Sequence, residues 1–327
     1  TLHRLALGGT AIPNVLLDLE MSRFLPTAPK DGLGPHIVIC GLARAGTTVL
    51  ARDLFATGEF GSLTYRDMPF VMSPNTFSGL SKSAHIDKKE RSHGDGLMVD
   101  LDSPEALDEV FWRLRTGRDY IKEDRLVPYQ PTREQVNAYG DFQRLVMLKT
   151  GKRRYLSKSN NSCLRLDALA GQMPDTRFLV PFRSPVHQCR SLIRQQEKFT
   201  GGTRFQKDYM TWLGHHEFGD THKPFVFGQA PVGNPGEVSY WRQIWLDTYS
   251  TLSEIAGRHG NVLLVSYNDL CRDPEYRETV LKEAGLEGFR FSELRELDAP
   301  EAEASDRAEW DEAMALYERM RATVLEH

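Results

Sequence analysis

One stretch limits the possible folds of this chain more than any other: HIVICGLARAGTTVLARDLFATG, residues 36–58. His36 to Cys40 is short, apolar and closed by Gly41, the pattern of a buried strand. The segment from Thr47 reads as a helix, with Gly58 as its stop. Between them runs Gly41-Leu42-Ala43-Arg44-Ala45-Gly46-Thr47-Thr48. Glycines let such a loop curl so that several backbone N–H groups converge on one anion, and the helix N-terminus adds a favourable dipole. A strand feeding a helix in this way predicts a parallel sheet with helices packed on it.

The rest of the chain repeats that grammar. RYLSKS, TRFLVPFR and NVLLVSY read as buried strands, and GSLTY as a shorter one. Ser103-Pro104-Glu105 has the cap, first-turn proline and acid of a helix start. Thr132 to Gln135 has capping-box spacing for a helix reaching about Lys149. Further helices are expected over about 161–172, 184–199 and 238–259, with an acidic amphipathic helix at about 299–325. Residues 73–100 and 200–236 read as loops. Apolar strands alternating with helices predict an α/β fold. We expect a P-loop-type three-layer α/β/α arrangement with a central parallel sheet and inserted helical and loop segments. One domain is expected over 1–327, its core at about 36–290.

Composition removes several functions. Lys and Arg total 41 against 45 Asp and Glu, a net charge of −4, which speaks against a general nucleic-acid or polybasic membrane binder. The four cysteines, Cys40, Cys163, Cys189 and Cys271, form no C-x-x-C pair, so neither a zinc ribbon nor a redox dithiol is expected. Cys40 and Cys163 read as core. No run of about 18 apolar residues marks a transmembrane helix, and no signal peptide is read at the start. The expectation is a cytoplasmic protein, with peripheral membrane contact still compatible.

The loop has Walker A spacing with one departure: Thr47 stands where the motif wants Lys. That lysine reaches the β and γ phosphates of a nucleoside triphosphate, so its replacement argues against triphosphate hydrolysis. The positive charge lies inside the loop, at Arg44. No acid after an apolar strand implies a bound Mg²⁺. Downstream, Arg183 ends a predicted strand and Pro185 opens a helix, with Ser191 two turns along on the same face. An Arg and a Ser so placed suit a second phosphate. Taken alone, each segment also reads as ordinary: a Gly-bearing turn, a surface Arg and a helix-face Ser.

Taken together, the two segments resemble the sulfotransferases that use 3′-phosphoadenosine 5′-phosphosulfate (PAPS). GLARAGTT is similar to their 5′-phosphosulfate loop, often R-S-G-T-T. Ala45 replaces the usual Ser, removing a hydroxyl but keeping the backbone. RSPVHQCRSL is similar to their 3′-phosphate motif, R-x-P-x-x-x-x-x-S-L. VLLVSYNDLCRDP resembles a family strand and loop with a Tyr-x-Asp/Glu-Leu run, which brings in Tyr267. The likeness is specific at the two motifs and diffuse over about 36–290. It covers neither the first 35 residues nor the acidic C-terminal helix.

The resemblance implies a donor site of Arg44, Ala45, Gly46, Thr47, Thr48, Arg183, Ser191 and Tyr267, with PAPS as donor, 3′,5′-ADP (PAP) as product and no metal. It implies transfer of a sulfuryl group to an acceptor hydroxyl, with a general base and cationic stabilisation. Arg44 is expected at the phosphosulfate. Lys158 stands at a strand end, where sites of open α/β sheets gather, and related enzymes carry a Lys in a similar segment to support the transition state. For the base, Asp67 lies where the tyrosylprotein enzymes have an acid near a Pro. His93 and Asp95, in RSHGDG, are its rivals; imidazole suits base work near neutral pH. Basic and aromatic loop material around 80–95 and 200–230 suits a carbohydrate acceptor.

Other signals are weaker. His215-His216-Glu217 lacks H-E-x-x-H spacing and a third ligand, so no metal is expected. Trp212, Phe218, Phe225 and Phe227 either stack on a ligand ring or pack beneath the loop; Trp241 and Trp245 read as a core stripe. The competing functions are an atypical P-loop kinase and a nucleotide-binding protein without catalysis.

Overall fold

A computed structural model describes residues 2–79, 89–90, 98–99, 104–291, 294 and 307–323. In chain order its elements begin with α1 (Leu2–Leu7), α2 (Ala11–Phe24), β1 (His36–Ile39), α3 (Thr47–Ala56) and β2 (Phe60–Gly61). A small antiparallel pair, β3 (Lys89–Glu90) and β4 (Met98–Val99), is followed by α4 (Glu109–Tyr120), α5 (Arg133–Thr150) and β5 (Arg154–Lys158). Then come α6 (Leu166–Gln172), β6 (Thr176–Phe182), α7 (Pro185–Phe199), α8 (Arg204–Leu213) and α9 (Val238–Arg258). The last are β7 (Val262–Ser266), α10 (Tyr267–Arg272), α11 (Pro274–Glu283) and α12 (Arg307–Thr323). No helix among the described residues is long and apolar enough to cross a membrane.

The main sheet has the order β2-β5-β1-β6-β7 and every pairing in it is parallel. Alternation along β1 explains the three layers. Ile37 and Ile39 point to one face, where Leu50, Ala51 and Leu54 of α3 and Val280 and Leu281 of α11 cover them. Val38 and Cys40 point to the other, under α5, α7, α9 and α12. All four β1 and post-β1 side chains are fully buried. Each contributes about 1.5–3 kcal/mol if it is as large as Val or Ile. Trp241 and Trp245 are core, as their spacing predicts, and Cys40 and Cys163 are buried thiols.

Three local expectations give way. The helix start at Ser103-Pro104-Glu105 does not form: Pro104 bridges Thr64, the Glu105 N–H bonds the Leu63 carbonyl, and α4 begins only after Asp108. Ser103 itself lies outside the described residues. Pairing with the 63–64 segment outcompetes the local cap. GSLTY joins the main sheet only at Gly61, in β2, and its Thr64 bridges Pro104 instead. The 200–236 stretch holds α8, capped by Thr203 and Gln206 and closed by Gly214 at φ 76°.

One polar knot lies inside the core. Arg165 and Glu109, with side chains 0% and 1% exposed, form an ion pair. The Arg165 guanidinium lies 4.6 Å over the Trp112 ring, and its Nη1 donates to Tyr129 Oη at 3.1 Å. Glu109 also accepts the Tyr120 hydroxyl and, at 3.0 Å, the Ser159 hydroxyl. Removing one partner of such a pair strands a buried charge. Arg165→Ala is therefore expected to lower unfolding free energy by about 3–5 kcal/mol, read from urea denaturation. The double variant Arg165→Met, Glu109→Gln should lose clearly less.

Candidate active site

Register brings the sequence motifs to one edge. Ile39 of β1 pairs with Lys158 of β5, and Phe182 of β6 pairs with Ser266 of β7. Each next step along the chain leaves the carboxyl end of the sheet. There the glycine loop follows β1, Arg183 follows β6 and Tyr267 follows β7. Lys158 is itself the last residue of β5. Four segments far apart in sequence thus meet at the edge where open parallel sheets bind ligands.

The loop depends on unusual backbone at two glycines. Gly41 has φ 145°, and a Cβ there would sit 3.1 Å from the Pro181 carbonyl. Gly46 has φ 95°, and a Cβ would sit 2.2 Å from Cδ2 of Tyr267. Arg44 adopts φ 67°, the one described non-glycine residue with positive φ. That conformation costs about 1–2 kcal/mol. It sends the guanidinium to α7, where Nε donates to Ser191 Oγ at 3.0 Å. The first turn of α3, from Thr47, opens with N–H groups that have no partner within the helix.

The two predicted phosphate motifs are physically one site. Gln188, wholly buried on α7, donates from Nε2 to the Ala43 carbonyl at 3.0 Å. Its Oε1 accepts the Arg183 N–H at 3.3 Å and the Trp245 indole N–H at 3.1 Å. The sequence reading passed over Gln188, which lies inside the second motif. Arg183 is 7% exposed and lies 5.5 Å over the Tyr267 ring. Its Nε has no partner, and no described carboxylate pairs with it. Burial pulls its pKa down; Tyr267 opposes this and the neighbouring Arg44 charge adds to it. A buried guanidinium with an unspent donor beside a second cation is a strong call for an anion.

Beside this cation pair lies a cavity of about 200 Å³. Arg44, Thr47, Thr48, Lys158 and Asn160 stand on its polar side, with Glu105, His215 and Glu217; Tyr65, Phe199, Tyr209, Met210 and Phe218 supply an apolar wall. Lys158 Nζ is 3.8 Å from Glu105 Oε1. Glu105 also accepts the Tyr65 hydroxyl at 2.5 Å and the Ala106 N–H at 2.9 Å. Burial pushes the Glu217 carboxyl up, but the His215 and Lys158 charges and the Asn160 hydrogen bond hold it below the ordinary range. The knot at Glu109 reaches this wall through Ser159, between Lys158 and Asn160.

Of the predicted bases, the described one, Asp67, falls elsewhere. Asp67 is not among the cavity-lining residues. Its Oδ2 accepts the Thr64 N–H at 2.9 Å in a capping box, and its Oδ1 meets the Lys149 ammonium. His93 and Asp95 lie outside the described residues. Glu105 was missed because its Ser-Pro-Glu context reads as a helix start. Of the four loop aromatics, only Phe218 lines the cavity; Phe225 and Phe227 pack edge to face beneath it.

The histidines of the following loop act structurally. His216 and His222 are both pulled down by burial, His222 to about 4. His222 hydrogen-bonds the Tyr240 hydroxyl at 2.9 Å. An unfolded histidine gains its proton near pH 6.5, whereas folded His222 does so only near 4. Stability should therefore be full above about pH 6.5, fall as pH drops towards 4, and level off below. Melting temperatures across that window check this, and His222→Gln should flatten the slope. In the loop, Gly46→Ala is expected to force Tyr267 aside and to weaken anion binding at least tenfold (about 1.4 kcal/mol), read by calorimetry.

No known family profile and no curated protein matches the sequence. Solved structures do. Sulfotransferase STF1 from Mycobacterium tuberculosis aligns with a TM-score of 0.50 and 15% identity, over 88% of this chain and 76% of that one. Sulfotransferase STF9 from Mycobacterium avium aligns at 0.49 and 14%, over 99% and 75%. A sulfotransferase from Alicyclobacillus acidocaldarius aligns at 0.43 and 16%, over 89% and 95%. At such identities the likeness is one of fold, and the fold of this chain is that of the Mycobacterium tuberculosis sulfotransferase.

Proposed function

We propose that the chain is a PAPS-dependent sulfotransferase acting on a hydroxyl of a carbohydrate acceptor. The observation that carries this reading is Arg183: a buried guanidinium with an unspent Nε, joined through Gln188 to a phosphate loop whose own Arg44 bonds Ser191. Two anion-binding features in one site match a donor that carries a 3′ phosphate and a 5′ phosphosulfate. Arg183 and Ser191 hold the 3′ phosphate. The N–H groups of Ala45 to Thr48, with the Thr47 and Thr48 hydroxyls, hold the 5′ end. Tyr267 packs against Gly46 and Arg183 and so keeps the two halves in register.

The cavity then serves the acceptor. Its apolar wall of Phe199, Tyr209 and Phe218 offers ring faces on which the C–H face of a sugar packs. Glu105 is the base we assign. It lines the cavity beside Lys158, whereas Asp67 is not among the lining residues. Glu105 takes the acceptor proton as the acceptor oxygen bonds to sulfur. The sulfur–oxygen bond to the 5′ phosphate breaks, and its electron pair leaves on that phosphate. Lys158 and Arg44 offset the charge growing on the leaving oxygen and the transferring group. Lys158 is already poised between Glu105 and the field of Glu217.

Calorimetry with 3′,5′-ADP, 5′-AMP and ATP tests the donor. The expected result is metal-independent binding of 3′,5′-ADP at least tenfold tighter than 5′-AMP. Arg183→Ala should abolish that preference. Tighter Mg²⁺-dependent binding of ATP would replace the reading by a kinase. In turnover, Glu105→Gln and Lys158→Ala are expected to lower kcat by about 10²–10⁴ while leaving 3′,5′-ADP affinity within a few-fold.

A further inference from the structure

The acidic C-terminal helix belongs to neither sequence motif, yet it is built into the donor end of the sheet. Trp310, Ala313, Leu316, Tyr317 and Met320 form one buried stripe on α12, the spacing of an amphipathic face. That stripe packs over β7, α7 and α9. Tyr317 meets Phe182, the residue before Arg183, edge to face at 5.6 Å. Arg321 grips Asp269 with both ends of its fork: Nε to Oδ2 at 2.7 Å and Nη2 to Oδ1 at 2.8 Å. Asp269 lies on α10 two residues beyond Tyr267, and its N–H is capped by Ser266. Two side-chain contacts of one helix thus land on the end of β6 and on α10, the pieces that lead into Arg183 and carry Tyr267.

We propose that α12 sets the geometry of the donor's 3′-phosphate site, with Arg321 as a positioning residue acting through Asp269 and Tyr267. The proposal rests on the donor reading above. α10 is only six residues long, too short to hold its own orientation by helical hydrogen bonds alone. Its place must come from tertiary contacts, and the forked Arg321–Asp269 pair is a directional one. Tyr267 cannot shift without disturbing either the Gly46 turn or the face it presents to Arg183.

The test uses the full chain and 3′,5′-ADP calorimetry, with melting temperatures and initial rates alongside. Arg321→Ala and Asp269→Asn should each weaken 3′,5′-ADP about tenfold and raise the donor KM in parallel. Acceptor KM and kcat at saturating donor should stay within twofold. Arg321→Lys should recover part of the affinity and covers the case in which Arg321→Ala does not fold. Arg242→Ala is the control, because it cuts the 3.1 Å pair with Glu309 at the other end of α12 and leaves Asp269 alone. A fall in melting temperature with unchanged 3′,5′-ADP affinity overturns the proposal, as does equal weakening in Arg242→Ala. Failure of the unaltered protein to bind 3′,5′-ADP overturns the donor reading and this inference together.

Discussion

The arrangement at the sheet edge turns on one buried cation. Arg183 has been taken out of water at the end of β6 without a carboxylate among the described residues to neutralise it. Such a group is tolerated only where the surrounding structure fixes it and a ligand supplies the missing charge. The fixing is visible. Gln188 holds the Arg183 backbone and the Ala43 carbonyl with one side chain, and Trp245 and Tyr249 hold Gln188 in turn. The glycine loop, β6 and α9 are thereby tied into a single unit. Catalytic geometry needs this kind of rigidity, since placement within a fraction of an ångström decides rate.

A second tier supports the cavity side. Lys158 belongs to β5, but the run that follows it turns inward at Ser159, whose hydroxyl is claimed by Glu109. Glu109 is in turn fixed by Arg165 and Tyr120. Glu109 is bonded at both oxygens by Arg165, Tyr120 and Ser159, which favours one arrangement of the knot, although Arg165 Nε has no partner among the described residues. Through Glu109 the knot ties the start of α4 to Ser159 after β5 and to Arg165 in the 160–165 turn, next to the cavity wall at Lys158 and Asn160. Glu105 sits three residues before Asp108, whose carboxylate accepts the Tyr139 and Tyr155 hydroxyls at 2.6 Å each.

Much of this was legible in the sequence, and for identifiable reasons. The strands that became β1, β6 and β7 are mostly apolar runs, because a parallel sheet covered on both faces buries nearly every side chain; β5, Arg-Tyr-Leu-Ser-Lys, is the polar exception. The 132–150 helix carries its own cap, and α7 its own proline. The glycine loop and the Arg183–Ser191 pair were readable because backbone geometry and helical spacing are local. What could not be read was convergence from a distance. Glu105 follows a Ser-Pro pair that locally favours a helix start, and a bridge to Thr64 overrules it. The α8 cap, Thr203-Arg204-Phe205-Gln206, was in plain view but masked by the surrounding Gly and Pro content. Asp67 looked chemically free in one dimension; in three its oxygens belong to Thr64 and Lys149.

Arg44 carries a consequence for how such a chain can evolve or be engineered. Its backbone sits where glycine, and to a lesser degree asparagine, is at ease. Selection for thermal robustness alone would favour Gly at this position, with a gain of about 1 kcal/mol. Selection that keeps the loop tied to α7 would oppose the same change, because only a long donor there spans from the loop to Ser191. Position 44 is therefore where a heat-stability library should enrich variants that have cut the link between the loop and α7.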